Sequence, residues 1–276
     1  MDCIHPIILK TGPVPCGRCL ACLSNKRQQW AFRLSNENRF SKISYFITLT
    51  YDDEHLPMCR GHPSVSKRDI QLFLKRLRKL IYPATIRYFI CSEYGPKTFR
   101  PHYHGIIFCS SENCECAEAI SRAWRMGFVQ IGTVSEASIS YVAKYCVSEA
   151  MLPKYLCLKD VKPFTLSSRR PGIGFNYLTE SMVNYYRSNM QSFAVRENGI
   201  KVALPRYYKD KLYSNEERSF ISFQSASFRR EQLERYNSKY EDYDRNSDIY
   251  TDPMSYQQKV AYERRVKNLI IKKSKL

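Results

Sequence analysis

The chain has 276 residues, and its 44 Lys+Arg against 26 Asp+Glu give a formal charge of +18. Solubility needs far less, so the excess points to a polyanionic partner, nucleic acid ahead of acidic membrane. No apolar run reaches the roughly 18 residues of a membrane-spanning helix, and Ile7-Ile8-Leu9 is too short a core for a secretory signal, so the expectation is a soluble protein of the cell interior. The length allows one substantial core with extensions, or two small domains.

Along residues 1–24 lie Cys3, His5, Cys16, Cys19 and Cys22. The two-residue gaps between Cys16, Cys19 and Cys22 let thiolates converge on one tetrahedral ion, with Cys3 or His5 as a fourth ligand. Reduced cysteines at the head of a helix are the plainer alternative, because Cys19 and Cys22 also share a helical face. From about residue 20 to 40, Leu23, Trp30, Phe32 and Leu34 alternate with Lys26, Arg27, Arg33 and Arg39. This predicts a basic, loosely amphipathic helix whose charged side is solvated or touches phosphates. Residues 44–51, rich in β-branched and aromatic side chains, predict a central strand. The following Asp52-Asp53-Glu54-His55 reads as a polar loop more economically than as a metal site.

Residues 66–81 form a marked helix. Ser66 caps it, Asp69 occupies the capping-box position, and Ile70, Phe73, Leu74, Leu77 and Ile81 make its buried stripe. Residues 85–94 predict a second strand, and Gly95-Pro96 opens a loop that returns to Pro101-His102-Tyr103-His104-Gly105-Ile106-Ile107-Phe108. Alternation puts His102 and His104 on one face, where two neutral imidazoles can grip a divalent ion. If the two strands pair as a hairpin, Glu93 falls opposite His102 and completes a three-ligand facial site with open positions. A one-residue bulge would turn Glu93 away. Cys109, Cys114 and Cys116 are a second metal cluster or ordinary thiols. A helix over 117–126 directs Ile120 and Trp124 inward, and 128–134 is another strand.

Ser135 caps a helix running to about residue 149. Tyr141 and Tyr145 project from one of its faces with Lys144 on the flank. An aromatic stripe is the ordinary reading of such a pair, but beside a metal site the phenols become candidate nucleophiles. Residues 167–174 form a basic, glycine-bearing turn that is either a phosphate cradle or a plain loop. Arg169 and Arg170 on it, with Arg100 before the histidine strand, are candidate DNA contacts. Beyond Phe220 the sequence turns polar, with Tyr236, Tyr240, Tyr243, Tyr250 and Tyr256 among charges, and predicts packed helices or partial disorder. Residues 257–276 carry seven Lys/Arg and one Glu, a tail suited to sequence-independent phosphate contact.

In this order, Phe46-Ile47-Thr48-Leu49-Thr50, His102-Tyr103-His104 and Tyr141-Val142-Ala143-Lys144-Tyr145 resemble the HUH endonucleases that initiate rolling-circle DNA replication. Cys16-Gly17-Arg18-Cys19 with Cys22, Trp30-Ala31-Phe32-Arg33-Leu34 and Leu204-Pro205-Arg206-Tyr207-Tyr208 look more closely like the replication initiators of gokushovirus-type microviruses, small single-stranded DNA phages of bacteria. The resemblance spans roughly residues 1–215 and implies an α+β fold, a central antiparallel sheet flanked by helices. It implies a nicking domain at 43–190, preceded by a Cys-rich segment and basic helix (1–42) and followed by a C-terminal extension (191–276). Mg²⁺ or Mn²⁺ on Glu93, His102 and His104 would then serve Tyr141 or Tyr145, with Lys144 assisting, in cleaving single-stranded viral origin DNA. A structural Zn²⁺ on the cysteines would be separate. Further expectations are a host helicase and polymerase, no membrane, and action in the bacterial cytoplasm. Relaxases of the same fold place the tyrosine before the histidines, and single-strand transposases usually carry one tyrosine. A non-catalytic single-strand binder with a zinc knuckle is the rival from another class.

Overall fold

The computed structural model describes residues 3, 5–9, 12–95, 98–112, 115–145, 162–196 and 199–225. A short hairpin, β1 (Ile7–Leu9) and β2 (Gly12–Val14), leads into helix α1 (Leu20–Arg39). Strand β3 (Ile43–Tyr51) follows, then the two-residue strands β4 (Met58–Cys59) and β5 (His62–Pro63) and helix α2 (Lys67–Leu80). Strands β6 (Ile86–Tyr94) and β7 (Pro101–Cys109) come next, then helix α3 (Cys116–Ala123), strand β8 (Gly127–Thr133) and helix α4 (Glu136–Tyr145). A short strand β9 (Thr165–Ser167), a 3₁₀ turn (Phe175–Tyr177), α5 (Glu180–Asn189), the hairpin β10 (Phe193–Val195) and β11 (Lys201–Ala203), and α6 (Arg206–Leu212) complete the named elements.

The frame is a five-stranded antiparallel sheet in the order β8-β3-β7-β6-β9. Strict alternation divides it into two faces. Ile47, Leu49, Tyr51, Tyr103, Ile107 and Ile90 point to one face and are covered by α2 and α3 through Ile70, Phe73, Leu77, Ile120 and Trp124. Phe46, Phe89, Cys91, Ile106 and Phe108 point to the other, beneath Leu34 of α1 and Ile139, Val142 and Ala143 of α4. The α+β architecture, the central antiparallel sheet and its flanking helices are as the sequence predicts, and the N-terminal segment is rich in cysteine.

Three local differences have physical causes. The α2 capping box is only half formed: Ser66 Oγ accepts from the Asp69 amide at 3.3 Å. The other half is replaced by tyrosines, because Tyr51 donates to the Asp69 carboxylate (2.8 Å) and the Ser66 amide donates to Tyr103 Oη (2.7 Å). Helix α3 stops at Ala123 rather than 126. Trp124 turns to extended backbone and its indole donates to the Thr50 carbonyl at 3.1 Å, which ties α3 to the central strand. Strand β9, absent from the sequence reading, adds to the β6 edge, with Phe89 opposite Ser167 and Cys91 opposite Thr165.

Helix α1 is less a solvated basic helix than a bridge. Its Arg27 donates to Ser140 Oγ on α4 (2.8 Å), and its Arg33 guanidinium lies between the Trp30 and Tyr207 rings, 4.3 and 3.9 Å from their centroids. Its buried Glu37 pairs with Arg87 on β6 and accepts the Gly174 amide at 2.6 Å. Phe32 enters a third cluster with Tyr186, Ala194, Leu204, Tyr208, Leu212 and Tyr213. Gly174 lies at φ +77, and a Cβ there would stand 2.4 Å from Tyr208 Oη, so its neighbours demand glycine. The glycines of the 167–174 turn therefore serve packing rather than an open phosphate cradle, while Arg169 and Arg170 remain exposed. The tyrosines at 236–256 and the basic tail at 257–276 lie outside the described residues.

Candidate active site

The cross-strand registers build the site row by row. Glu93 on β6 is opposite His102 on β7, which is opposite Thr50 on β3. One row further, Cys91 is opposite His104, which is opposite Thr48. Directly opposed side chains share a face, so the hairpin register expected from the sequence holds and no bulge turns Glu93 aside. Both imidazoles are steadied from β3: Thr48 Oγ1 is 3.0 Å from His104 Nδ1, and Thr50 Oγ1 is 3.3 Å from His102 Nδ1. Each Nε2 is left on the far side of its ring, and that of His104 lies 3.2 Å from the Glu93 carboxylate. Such threonines fix ring orientation as outer-shell partners do around metal-binding histidines.

Helix α4 lays both phenols over this surface. The Tyr145 ring stacks on His104 with centroids 4.7 Å apart and planes at 15°, and Tyr141 meets the same imidazole edge-on at 5.3 Å. The two tyrosine rings are 5.0 Å apart. Lys144 shares the helix, its Nζ 5.9 Å from the Tyr145 centroid. Ser135 caps α4 by accepting the Ser138 amide at 3.2 Å, as the sequence predicts. Burial first, then the Glu93 charge and hydrogen bonding to Tyr141 and Glu93, raises the Tyr145 phenol far above its ordinary range. Tyr141 is raised by burial, partly offset by its hydrogen bond with Tyr145. Burial, and then the neighbouring His104, lowers His102, which keeps it neutral and able to act as a ligand.

Neutral imidazoles and a carboxylate suit a divalent cation, and the threonine contacts leave Nε2 as the ligating atom. The donor set fits, although the trio is more open than the four cysteines, which among the described residues are the set whose ligating atoms all lie within 4.8 Å of one another. The His102 ring leans over Gly95, where a Cβ would come 3.3 Å from Nε2. Sequence reasoning missed Thr48, Thr50 and Gly95. The signal for the threonines was their period-2 spacing, identical to that of the histidines.

Arg100 does not present a free guanidinium: it donates to Asp53 (2.6 Å) and to the Tyr51 carbonyl (2.8 Å). The acidic loop after β3 is structural, since Asp52 accepts both the backbone amide and the ring of His55 at 2.8 Å. Cys109 and Cys116 are buried thiols of the core, and Cys114 lies outside the described residues.

At the N-terminus, Cys3, Cys16, Cys19 and Cys22 converge, with Sγ–Sγ distances of 3.8 Å (Cys3–Cys19) and 4.0 Å (Cys16–Cys22). All four are free thiols. Tetrahedral ligands at about 2.3 Å from zinc stand about 3.8 Å apart, so the cluster can bind a structural metal such as zinc. His5 is not part of the set. The amides of Arg18 and Cys19 point at Cys16 Sγ and hold that thiol below its usual value, while burial pushes Cys22 up to about 12. No helix among the described residues is long and apolar enough to cross a membrane.

Comparison with known proteins bears on what this arrangement serves. The family model of replication-associated proteins of the ORF2 type matches residues 44–150, the stretch from β3 through the tyrosine helix. The replication-associated protein ORF2 of Spiroplasma virus 4 is 30% identical over 217 residues, covering 72% of this chain and 67% of its own. The chain belongs to this family of replication-associated proteins. The VP4 replication-associated protein of Bdellovibrio phage phiMH2K is 28% identical, covering 76% of this chain and 70% of its own. The replication-associated protein ORF4 of Chlamydia phage 1 is 27% identical, covering 77% and 56%. No solved structure matches the chain.

Proposed function

We propose that this family member is a rolling-circle replication initiator of HUH-endonuclease architecture. It nicks single-stranded viral origin DNA through a tyrosine and rejoins the displaced strand in the bacterial host. The observation that carries the reading is the stacking of Tyr145 and the edge contact of Tyr141 on His104, an imidazole whose other neighbours are Glu93 and Thr48. A single-strand binder would have no use for that convergence.

In the reaction, a phenol oxygen attacks the scissile phosphorus. The new P–O bond forms to tyrosine as the bond to the 3′ oxygen breaks. The phenol proton leaves to solvent, and the departing oxygen takes one up to become a 3′-OH. The product is a 5′-phosphotyrosine whose phosphodiester is conserved, so rejoining is the reverse reaction and needs no ATP. The second tyrosine cleaves the regenerated origin. Lys144 stabilises charge that develops on the phenolate or the phosphate. Glu93, His102 and His104 would hold Mg²⁺ or Mn²⁺, which supplies Lewis-acid polarisation of the phosphate when bound. Thr48 and Thr50 keep the two imidazoles aimed.

The 3′-OH suits priming by a host polymerase, and unwinding is assigned to a host helicase. The nicking unit is assigned to residues 43–190, with 191–276 as an extension. Zn²⁺ on the four cysteines clamps the hairpin β1–β2 to the head of α1.

The test is a covalent-adduct assay, with single-stranded phage origin DNA resolved on a denaturing gel. Tyr141→Phe combined with Tyr145→Phe abolishes the adduct and leaves DNA binding intact, and the wild-type adduct is lost with EDTA. An adduct that survives the double substitution overturns the assignment.

A further inference from the structure

Phe128, at the start of β8, is 72% exposed. A single exposed aromatic is ordinary on a protein surface; this one is set apart by its register. Phe128 is opposite Thr50, Thr50 opposite His102 and His102 opposite Glu93, so all four side chains belong to one row on one face of the sheet. The next residue, Val129, packs into the opposite core under α2 and α3, which fixes the parity of the strand. On the Phe128 face, α1 and α4 cover the rows of Phe46, Ile106 and Phe89, well inside the sheet, and the row of Phe128 emerges from that cover. With strands about 4.8 Å apart, the phenyl-bearing Cα sits two strands, or about 10 Å, from that of His102.

The placement is rigid. Gly127 lies at φ +132, and a Cβ there would come 2.3 Å from the Asp52 amide and 2.5 Å from the Thr50 carbonyl. Only glycine lets β8 begin flush against the end of β3, and that close approach delivers Phe128 opposite Thr50.

We infer that Phe128 is a stacking platform for a nucleobase of the single strand whose phosphate is gripped at Glu93, His102 and His104. The identity of that strand rests on the nicking reading above. The chemistry is that of a nucleotide divided between two neighbours. The anionic backbone lies on the histidine side of the row, where a chain of formal charge +18 draws it, and the flat base lies on the phenyl. Every base offers a π-face, so the platform tolerates any sequence. It also favours single strands, whose bases are free to leave their own stack.

The experiment compares binding of a fluorescein-labelled oligothymidylate with that of an abasic strand of the same length. Phe128→Ala weakens oligothymidylate binding by about 5- to 150-fold, the span of one lost base–aromatic stack. It leaves the abasic strand nearly unchanged, and the slope of log K against log salt stays as in wild type because the phosphate contacts are intact. Phe128→Trp retains affinity, and oligothymidylate quenches its added indole fluorescence. This second variant decides the matter if Phe128→Ala loses its thermal transition. Equal affinity in Phe128→Ala and wild type, an equal loss on both strands, or an unquenched Phe128→Trp overturns the platform. Wild-type adduct formation on origin DNA is run alongside. Adduct with no Phe128 effect discards the platform alone, whereas a quenched Phe128→Trp with no wild-type adduct discards nicking alone.

Discussion

Replacing Thr48 with valine keeps the shape of the side chain and removes the oxygen that faces His104. For His104 to hold a cation through Nε2, its proton must sit on Nδ1, and there it donates to Thr48 Oγ1 at 3.0 Å. The imidazole is only 7% exposed, so water has little room to replace the hydroxyl. Leaving that N–H unpaired costs about 1–3 kcal/mol in the cation-bound state, or about 5- to 150-fold in affinity. The 10- to 100-fold losses general to outer-shell partners fall in the same span. Thr50 supports His102 through a longer contact, 3.3 Å, on a ring that is not fully buried, so water can stand in for it. Thr50→Val should therefore cost about fivefold or less. The assay is titration with Mn²⁺, following the free ion by electron paramagnetic resonance, with Thr48→Ser as the variant that keeps the hydroxyl and restores binding. Thr48→Val within about twofold of wild type, or a larger loss in Thr50→Val, would refute the reasoning.

The phenols differ in access: Tyr145 is 8% exposed and stacked on His104, while Tyr141 is only half-buried. Tyr141→Phe should abolish first-turnover adduct formation and Tyr145→Phe should retain it; the opposite pattern on a denaturing gel reverses the assignment. For the cysteine cluster, atomic absorption should find about one zinc per chain, and 1,10-phenanthroline should lower the melting temperature. Zinc-free protein with fully reduced thiols and an unchanged melting temperature counts against the site. Because the ligands are thiolates, metal is held at neutral pH and lost as acid protonates them. Glu37→Ala leaves Arg87 and the Gly174 amide without their shared carboxylate. Removing one partner of a buried pair costs about 3–5 kcal/mol, and the 26% exposure of Arg87 reduces this to about 2–3. Urea unfolding with an unchanged m-value measures it, and a loss under about 1 kcal/mol would show that the pair contributes little.

What the sequence could and could not disclose follows from the range of the forces involved. Helix α2 was readable because its cap and apolar stripe lie within fourteen residues of one another, and α4 because its serine cap and two tyrosines share one helical face. The tyrosine-built third cluster was not. Tyr186, Tyr208 and Tyr213 look amphipathic in a sequence, and they become core only once their hydroxyls find partners. Tyr208 donates to the Gly174 carbonyl at 2.8 Å, and Tyr213 donates to the carbonyls of Tyr186 and Gln191 at 3.0 and 2.9 Å.

The site divides along the same line. Glu93 and His102 belong to neighbouring strands joined by a short loop, so a hairpin sets their register and alternation does the rest. Thr48, Thr50 and Phe128 reach the same rows from strands that pair only after α2 and the β6–β7 hairpin have been placed, and no local signal carries that register. Each could be assigned a parity, but none a neighbour. The sequence-distant half of the site is also the half that aims rather than reacts: threonines behind the imidazoles, and a phenyl at the end of the row. Chemistry-bearing residues announce themselves by type, because few side chains can bind a metal or attack a phosphate. Residues that position them are drawn from the common stock of strand formers, and only the register of the folded sheet separates a working threonine from an ordinary one.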